Sequence, residues 1–550
     1  MRGATMSWIT HEVSNQPPEL ADYNLYDTDA PLREGVMREG AGAHAEALAR
    51  YGGELGRREM FDLAHEANRH VPELLSYDRQ GHRIDRVVFH PAWQRFMEMA
   101  YAQGMHSGPW AEPGGGAQVA RAAMYLMHGQ VEAGSLCPTT MTAAAIPVLR
   151  REAWFGTIAP LLYSRSYDGR DLPLTAKTSM TIGMGMTEKQ GGSDLRSNTT
   201  RAVPVDAGGR RRTYRLTGHK WFFSVPTADA HLVLARAHEA FSCFYVPRWL
   251  EDGTRNNIRL QRLKDKLGNR SNASGEVEFQ DALGVLVGEE GRGIRTLVEM
   301  ASYTRIDCVL GSAALLRQAV VQALHHARNR QAFGKALQAQ PLMRSVLADL
   351  ALESEAATML ALRLARSLDA AGDPGEDAWR RIMGPAAKFW VCKLAIAAIA
   401  ECMEVWGGNG FIEDGPMPRL YREAPVNSIW EGSGNIMCLD VLRALGRDRA
   451  FSSALLDELE QDAAGEARLA GRVAALRAAL LDENDIQAGA RGVMRDLVLL
   501  TQASLLRRHA PQIVADAFVA SRFGEAGRVI GTYAYAAPVS EALIARAWPQ

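Results

Sequence analysis

The feature that most limits what this chain can fold into is a hydrophobic period that changes twice. Between residues 43 and 149 apolar side chains recur three or four apart, clearly so at 60–75 and 119–133, which predicts amphipathic helices. Near Met180 the period drops to two. Residues 213–218, 231–235, 241–246 and 276–279 are short, β-branched or aromatic, and bounded by turn residues, as strands are. After Gly293 helical text returns and runs to about Leu445, broken at 369–376, then on from Arg447 to about His509 before a looser tail. Strands and helices kept in separate blocks argue against a doubly wound sheet and predict an α+β chain. The expected units are an N-terminal arm and helical domain (1–180), a β-barrel or sandwich domain (181–290), a helical-bundle domain (291–445) and an extra C-terminal helical domain (446–550).

Bulk properties narrow the partners. A formal net charge of −1 over 550 residues creates no global field toward nucleic acid or anionic membrane, so such binding would need a local patch. No apolar run reads as long enough to span a bilayer and the start carries no signal-peptide pattern, with Met6 an alternative start. The six cysteines are scattered with no CxxC pair, which argues against a zinc site or disulfide framework and for a reducing, cytoplasmic setting. No metal set is read from the sequence.

Four segments can carry chemistry. Met186-Thr-Glu-Lys-Gln-Gly-Gly-Ser-Asp194 pairs two glycines with hydroxyls, which lets backbone approach a planar or phosphorylated ligand; a polar turn has the same composition. Gly218-His-Lys-Trp-Phe-Phe-Ser224 puts aromatic rings on both faces of a strand, most often for core packing. Arg330-Gln-Ala-Phe-Gly334 offers a guanidinium to a pyrophosphate or to a surface carboxylate. Glu404-Val-Trp-Gly-Gly-Asn-Gly-Phe411 is a glycine-rich helix stop, followed by Trp430-Glu-Gly-Ser-Gly-Asn435. There Glu431 sits between an aromatic and a glycine, where desolvation raises a carboxyl toward a useful base. The commoner role of such a residue is to meet free amides at a helix start.

In this order the four segments resemble the acyl-CoA dehydrogenase superfamily, strongly over about 180–445 and more loosely before it. The resemblance rests on Thr187 to Asp194, Arg330 to Gly334, Gly407 to Phe411 and Trp430 to Ser433. It implies FAD as cofactor, with Met186, Thr187, Gly192 and Ser193 lining the flavin and Phe222, Phe223 and Ser224 against its ring system. Arg330 and Phe333 would reach FAD across a subunit interface, and Gly407, Gly408 and Gly410 would admit the pyrophosphate. Trp430, Gly432, Ser433 and Asn435 would complete the site around Glu431, the implied catalytic base. Several relatives place a second base just before the residue matching Arg305; here that position is Thr304, which leaves Glu431 as the one candidate.

The wording of 186–194, 219–226, 266–274 and 425–440 is closest to a branch of the superfamily that belongs to the adaptive response to DNA alkylation. That likeness implies a homotetrameric flavoprotein that binds double-stranded DNA through its C-terminal region and keeps a dehydrogenase-like site with weak or no turnover. The alternative is a metabolic dehydrogenase of a short or branched acyl-CoA; a small alkylating molecule is a further ligand class. Lys189-Gln190 and Phe222 depart from the family pattern near flavin and substrate. Arg305 and Arg443 are expected to bind substrate or tune the base, Arg443 by folding back to pair with Glu431. For DNA, Arg491 and Arg495 share a helix face while Val493, Leu497 and Leu500 face a core, and Arg507 and Arg508 add a cluster. Twelve arginines after residue 446 meet thirteen acids, so a solvated helix face has the same look.

Overall fold

The computed structural model describes residues 10–205, 212–481, 486–524 and 529–549; the alternative start at Met6 lies outside them. Its axis is helix Gly293–Asn329, which begins at the glycine where the helical period returns. Helices Ala117–Val131, Pro341–Asp369 and Pro374–Val405 pack around it. Two of these, Gly293–Asn329 and Pro374–Val405, are long and apolar enough to cross a membrane by length and composition, which corrects the reading of the sequence. Their apolar windows are 100% and 72% buried within the protein, so they are spent on its own core.

Strands β3 (Ile182–Gly185), β4 (Arg201–Pro204), β5 (Thr213–Ser224), β6 (Ala230–Ala237), β7 (Ala240–Pro247), β8 (Ile258–Leu263) and β9 (Ser274–Val287) form one sheet. β6 pairs with β4 and with β7, and the path β4–β5–β9–β7 returns to it, so the sheet closes on itself. Closure pairs β4, β5, β6, β7 and β9 on both sides, and β3 and β8 are each paired with a single strand. A fully buried ion pair fixes its first turn: Lys220 Nζ lies 2.7 Å from Glu188 Oε1. Glu188 also accepts hydrogen bonds from the amides and hydroxyls of Thr199 and Thr200. Burial pushes this carboxyl up, but Lys220 and those bonds outweigh it and hold it at about 2. Burial alone pushes Lys220 down to about 8 against the pull of Glu188, so the pair is charged at neutral pH.

Two expectations need correction. The helical reading of 60–75 holds only to Arg69, because Pro72 removes an amide and β1 (Glu73–Tyr77) then pairs with β2 (Arg83–Val88). That hairpin docks on the barrel, where Arg83 donates to the Leu260 carbonyl at 2.6 Å and Asp85 accepts from the Leu260 amide at 3.0 Å. The looser tail also holds two helices, Gln512–Phe523 and Ala537–Ala547, the second opening with Pro538 in its first turn.

The C-terminal region is bound to the bundle. Arg522 lies 2.5 Å from Asp349 and 2.9 Å from Glu353, both on helix Pro341–Asp369, and Tyr535 donates to Asp349 at 3.0 Å. Removing one partner of a buried cluster leaves charge without compensation and costs about 3–5 kcal/mol. Arg522→Ala should therefore lower the thermal unfolding midpoint and speed proteolysis of the C-terminal helices, whereas an unchanged midpoint and cleavage rate would show that the cluster does not hold that region.

Candidate active site

Glu431 stands in the turn between helices Met417–Asn427 and Gly434–Arg447. It and Gly432 both adopt left-handed backbone, with φ of 59° and 99°. Such backbone costs a non-glycine residue about 1–3 kcal/mol and persists only where its surroundings enforce it. Two buried cations do so here. Arg305 Nε donates to the Glu431 carbonyl at 3.0 Å, and Lys388 Nζ donates to the Gly432 carbonyl at 2.9 Å. Arg305 is itself fixed by Asp440 at 2.7 Å, which Arg381 also approaches to 2.6 Å. Burial raises the Asp440 carboxyl, but those two guanidiniums overcome it and hold the group below its ordinary value.

The carboxylate of Glu431 has a different partner. Thr304 Oγ1 donates to its Oε2 at 2.6 Å. Burial pushes the Glu431 carboxyl above its ordinary 4.5, while Thr304, Arg305 and Lys388 pull the other way. A raised carboxyl held by one neutral hydroxyl, with no ion pair on its oxygens among the described residues, is suited to accept a proton. Thr304 thus turns from the residue that excludes a second base into the one that orients the first. Lys388 was not anticipated; its one signal is a lysine inside the apolar stretch Gly384-Pro-Ala-Ala-Lys-Phe-Trp-Val391.

Cys137, on helix Leu136–Leu149, connects this turn to the barrel. Its thiol is pushed up to about 11, chiefly by burial, with Lys266 opposing, Glu431 adding, and hydrogen bonds from Ser224 and Asn272 opposing. Ser224, at the end of β5, thus meets the Cys137 thiol, which also senses the charge of Glu431. Phe222 on the same strand is 52% exposed, whereas Phe223 points the other way, buried and stacked on His231 at 3.7 Å. Phe223 is a barrel-core residue, which corrects its place against the cofactor. Met186 and Thr187 follow β3, and Gly192 and Ser193 are exposed beyond them. A Cβ at Gly192 would lie 2.6 Å from Thr187 Oγ1, so that turn needs its glycine.

A second cluster lies at the far end of the axial helix. Arg330 caps it and donates to the Asn15 carbonyl, and Phe333 is 96% exposed at the tip of the following turn. Asn15 also bonds both backbone groups of Gln331, at 2.8 Å each, while Gln16 accepts from Asn409 at 3.4 Å. The N-terminal arm thus joins the Arg330 turn to the Gly407, Gly408 and Gly410 loop. Gly407 has φ 60° and ψ −140°, a conformation other residues avoid. Gly410 is buried where a Cβ would meet the Met403 carbonyl at 2.2 Å.

Other expected residues fall elsewhere. Trp430 bonds Asn427 at 3.1 Å and packs against the core under the barrel, and Ser433 is the cap position of helix Gly434–Arg447. Asn435 is exposed and accepts from Arg491 at 3.0 Å, so it faces the C-terminal region. Arg443 is exposed and not among the groups that act on Glu431, which corrects the expected pairing. Arg495 lies 2.7 Å from Asp496 and Arg508 lies 2.5 Å from Asp462. Arg507 donates to the carbonyls of Asp462 and Ala464. All four arginines expected at DNA thus have partners within the chain.

A closed barrel between helical blocks, with a lone carboxylate on a strained turn beside it, defines the class as acyl-CoA dehydrogenase-like. Residues 15–169 match the adaptive response protein AidB N-terminal domain, 183–282 the acyl-CoA dehydrogenase middle domain and 291–446 its C-terminal domain. The chain is 54% identical to the putative acyl-CoA dehydrogenase AidB of Escherichia coli over 84% of its own length and 85% of that protein's. The solved structure of Caenorhabditis elegans ACDH-11 in complex with C11-CoA superposes with a TM-score of 0.84 at 25% identity, covering 93% of each chain. A Bacillus anthracis acyl-CoA dehydrogenase complexed with FAD shares the fold, with a TM-score of 0.65 at 20% identity over 79% of this chain and 81% of that one. The chain belongs to the acyl-CoA dehydrogenase family, in its AidB branch.

Loss of the Thr304 hydroxyl should remove a bond that favours the charged form of Glu431, so its carboxyl should rise further. In Thr304→Val the acid limb of the pH profile for α-proton removal should move to higher pH, and Thr304→Ser should restore it. A profile that stays in place in the valine variant would contradict the assignment.

Proposed function

We propose that this chain is a FAD-dependent oxidoreductase that removes the α-proton of an acyl thioester with Glu431. The observation that carries this reading is the raised, half-buried carboxylate, with Thr304 on one oxygen and the backbone of its turn fixed by Arg305 and Lys388. The residues present fit FAD. Phe222 offers a half-exposed ring, Ser224 meets the Cys137 thiol that also senses Glu431, and the Gly407–Gly408 turn has room for phosphate, with nothing within 4 Å of a Cβ at either position. Met186, Thr187, Gly192, Ser193 and Ser224 would hold the flavin, and the cluster of Arg330, Gly407 and Gly408, at the far end of the axial helix, would reach the pyrophosphate of a second subunit's FAD. When bound, FAD supplies the acceptor for the β-hydride. Glu431 takes the α-proton, and the buried surroundings of Cys137, Thr304 and Lys388 keep water from competing for it.

In this reading the substrate is a short or branched acyl-CoA, and chains assemble into a homotetramer. Phe333, Leu342 and Phe411 are 96%, 86% and 80% exposed, an apolar load that a second subunit would cover. All six cysteines are free and buried, which suits a reducing cytoplasm.

The likeness to AidB favours a second role, in the response to DNA alkylation, with the protein bound to duplex DNA. Arg491, Arg495 and Arg508 are the exposed candidates for phosphate; among the described residues Arg491 has only the neutral Asn435 as its hydrogen-bond partner, whereas Arg495 and Arg508 would have to exchange Asp496 and Asp462 for it. Binding through phosphates falls steeply with salt. Affinity for duplex DNA should thus drop by an order of magnitude or more, about 10-fold at least, between 50 and 200 mM salt. Equal affinity at both would remove this role.

For the first role, Glu431→Gln should retain flavin absorbance yet lose anaerobic bleaching by butyryl- or isovaleryl-CoA. Bleaching at the unaltered rate in that variant would exclude Glu431 as the base.

A further inference from the structure

The N-terminal helical domain brings together three donors that are not among the residues assigned to the flavin. Glu66 and His70 are one turn apart at the end of helix Arg58–Arg69, on the same face. The hairpin β1–β2 then returns the chain to His90, which caps helix Pro91–Ala102. The imidazoles of His70 and His90 lie face to face, centroids 4.8 Å apart and planes 13° from parallel. Glu66 Oε2 is 3.2 Å from His70 Nδ1, and one donor atom from each of the three residues lies within 4.8 Å of the others.

Several features suit this cluster to a cation. His70 is the C-cap of its helix, where the helix dipole presents its negative pole. His90 Nδ1 accepts the Ala92 amide at 3.3 Å, so that nitrogen carries a lone pair, in a long bond that an ion can displace. Two imidazole nitrogens and one carboxylate oxygen suit a borderline divalent ion, bound at about 2.0–2.2 Å, better than calcium or magnesium. Imidazole lone pairs lie in the ring plane, so the two stacked rings must turn out of parallel for the three donors to close to that distance. His70 is exposed and the other two are partly buried, so an ion can enter and keep a water as its fourth ligand.

We propose that Glu66, His70 and His90 form a binding site for a divalent transition ion of the zinc class. The ion would clasp helix Arg58–Arg69 to helix Pro91–Ala102 at the base of the hairpin that docks on the barrel through Arg83 and Asp85. Spacing alone did not disclose it, because His90 reaches the other two only through the hairpin.

The test is calorimetric titration of the untagged, flavin-loaded, EDTA-stripped full-length protein with Zn²⁺, beside Glu66→Gln, His70→Asn and His90→Asn. Asparagine at position 90 keeps an acceptor for the helix cap. One ion per chain is expected, with affinity about tenfold or more weaker in each variant and a Zn²⁺-dependent rise in thermal midpoint only in the parent protein. No stoichiometric binding, or parental affinity in the variants, would overturn the proposal. If His90→Asn fails to fold, unchanged affinity in Glu66→Gln and His70→Asn is sufficient to do so.

Discussion

The site depends on one guanidinium. Arg305 projects from the axial helix, donates to the Glu431 carbonyl and is held by Asp440 from the helix that follows that turn. It therefore fixes both the turn and the helix leaving it. Its neighbour Thr304, one residue earlier on the same helix, supplies the hydroxyl that meets the carboxylate. One turn of helix thus sets the backbone and the side chain of Glu431. Lys388 adds the second anchor from helix Pro374–Val405, so two elements of the core impose left-handed backbone on consecutive residues. The anchors bind carbonyls, which leaves the carboxylate oxygens clear of direct ion pairing and its pKa raised.

The barrel supplies the opposite wall. The Glu188–Lys220 pair is wholly buried and well satisfied, so its value lies in fixing the segment that leaves β3 against the middle of β5. With that turn fixed, alternation along β5 sends Phe223 into the barrel core and turns Phe222 out toward solvent. Cys137 shares one apolar cluster with Met184, Leu232 and Leu234 of the barrel and with Trp430 beside Glu431, so the barrel and the helical block meet there.

The block order of the fold was legible because periods of 2.0 and 3.6 are properties of short windows. The hairpin at 73–88 was not, because Leu74 and Leu75 continue a helical-looking pattern that Pro72 interrupts. Glu431, Thr304 and Arg305 were identifiable from their motif. Their contact was not, since it joins distant segments through the packing of two helices. Phe223 was misplaced because three consecutive aromatics do not say which one faces inward. Arg443 was misplaced because a helix turning away from Glu431 carries it outward, while Lys388 reaches the turn from another helix. The near balance of arginines and acids after residue 446, and Asp496 directly after Arg495, pointed to pairing within the chain, but only the fold brings Asp462 to Arg508.

The account stands or falls on whether Glu431 takes a proton from carbon. The direct measurement is exchange of the α-hydrogens of butyryl-CoA with D₂O on the flavin-loaded protein, followed by NMR under anaerobic conditions. The account predicts incorporation of deuterium at the α-carbon by the parent protein and none above background in Glu431→Gln. Bound acyl-CoA that keeps its α-hydrogens in the parent protein, or exchange that persists without the carboxylate, would contradict it.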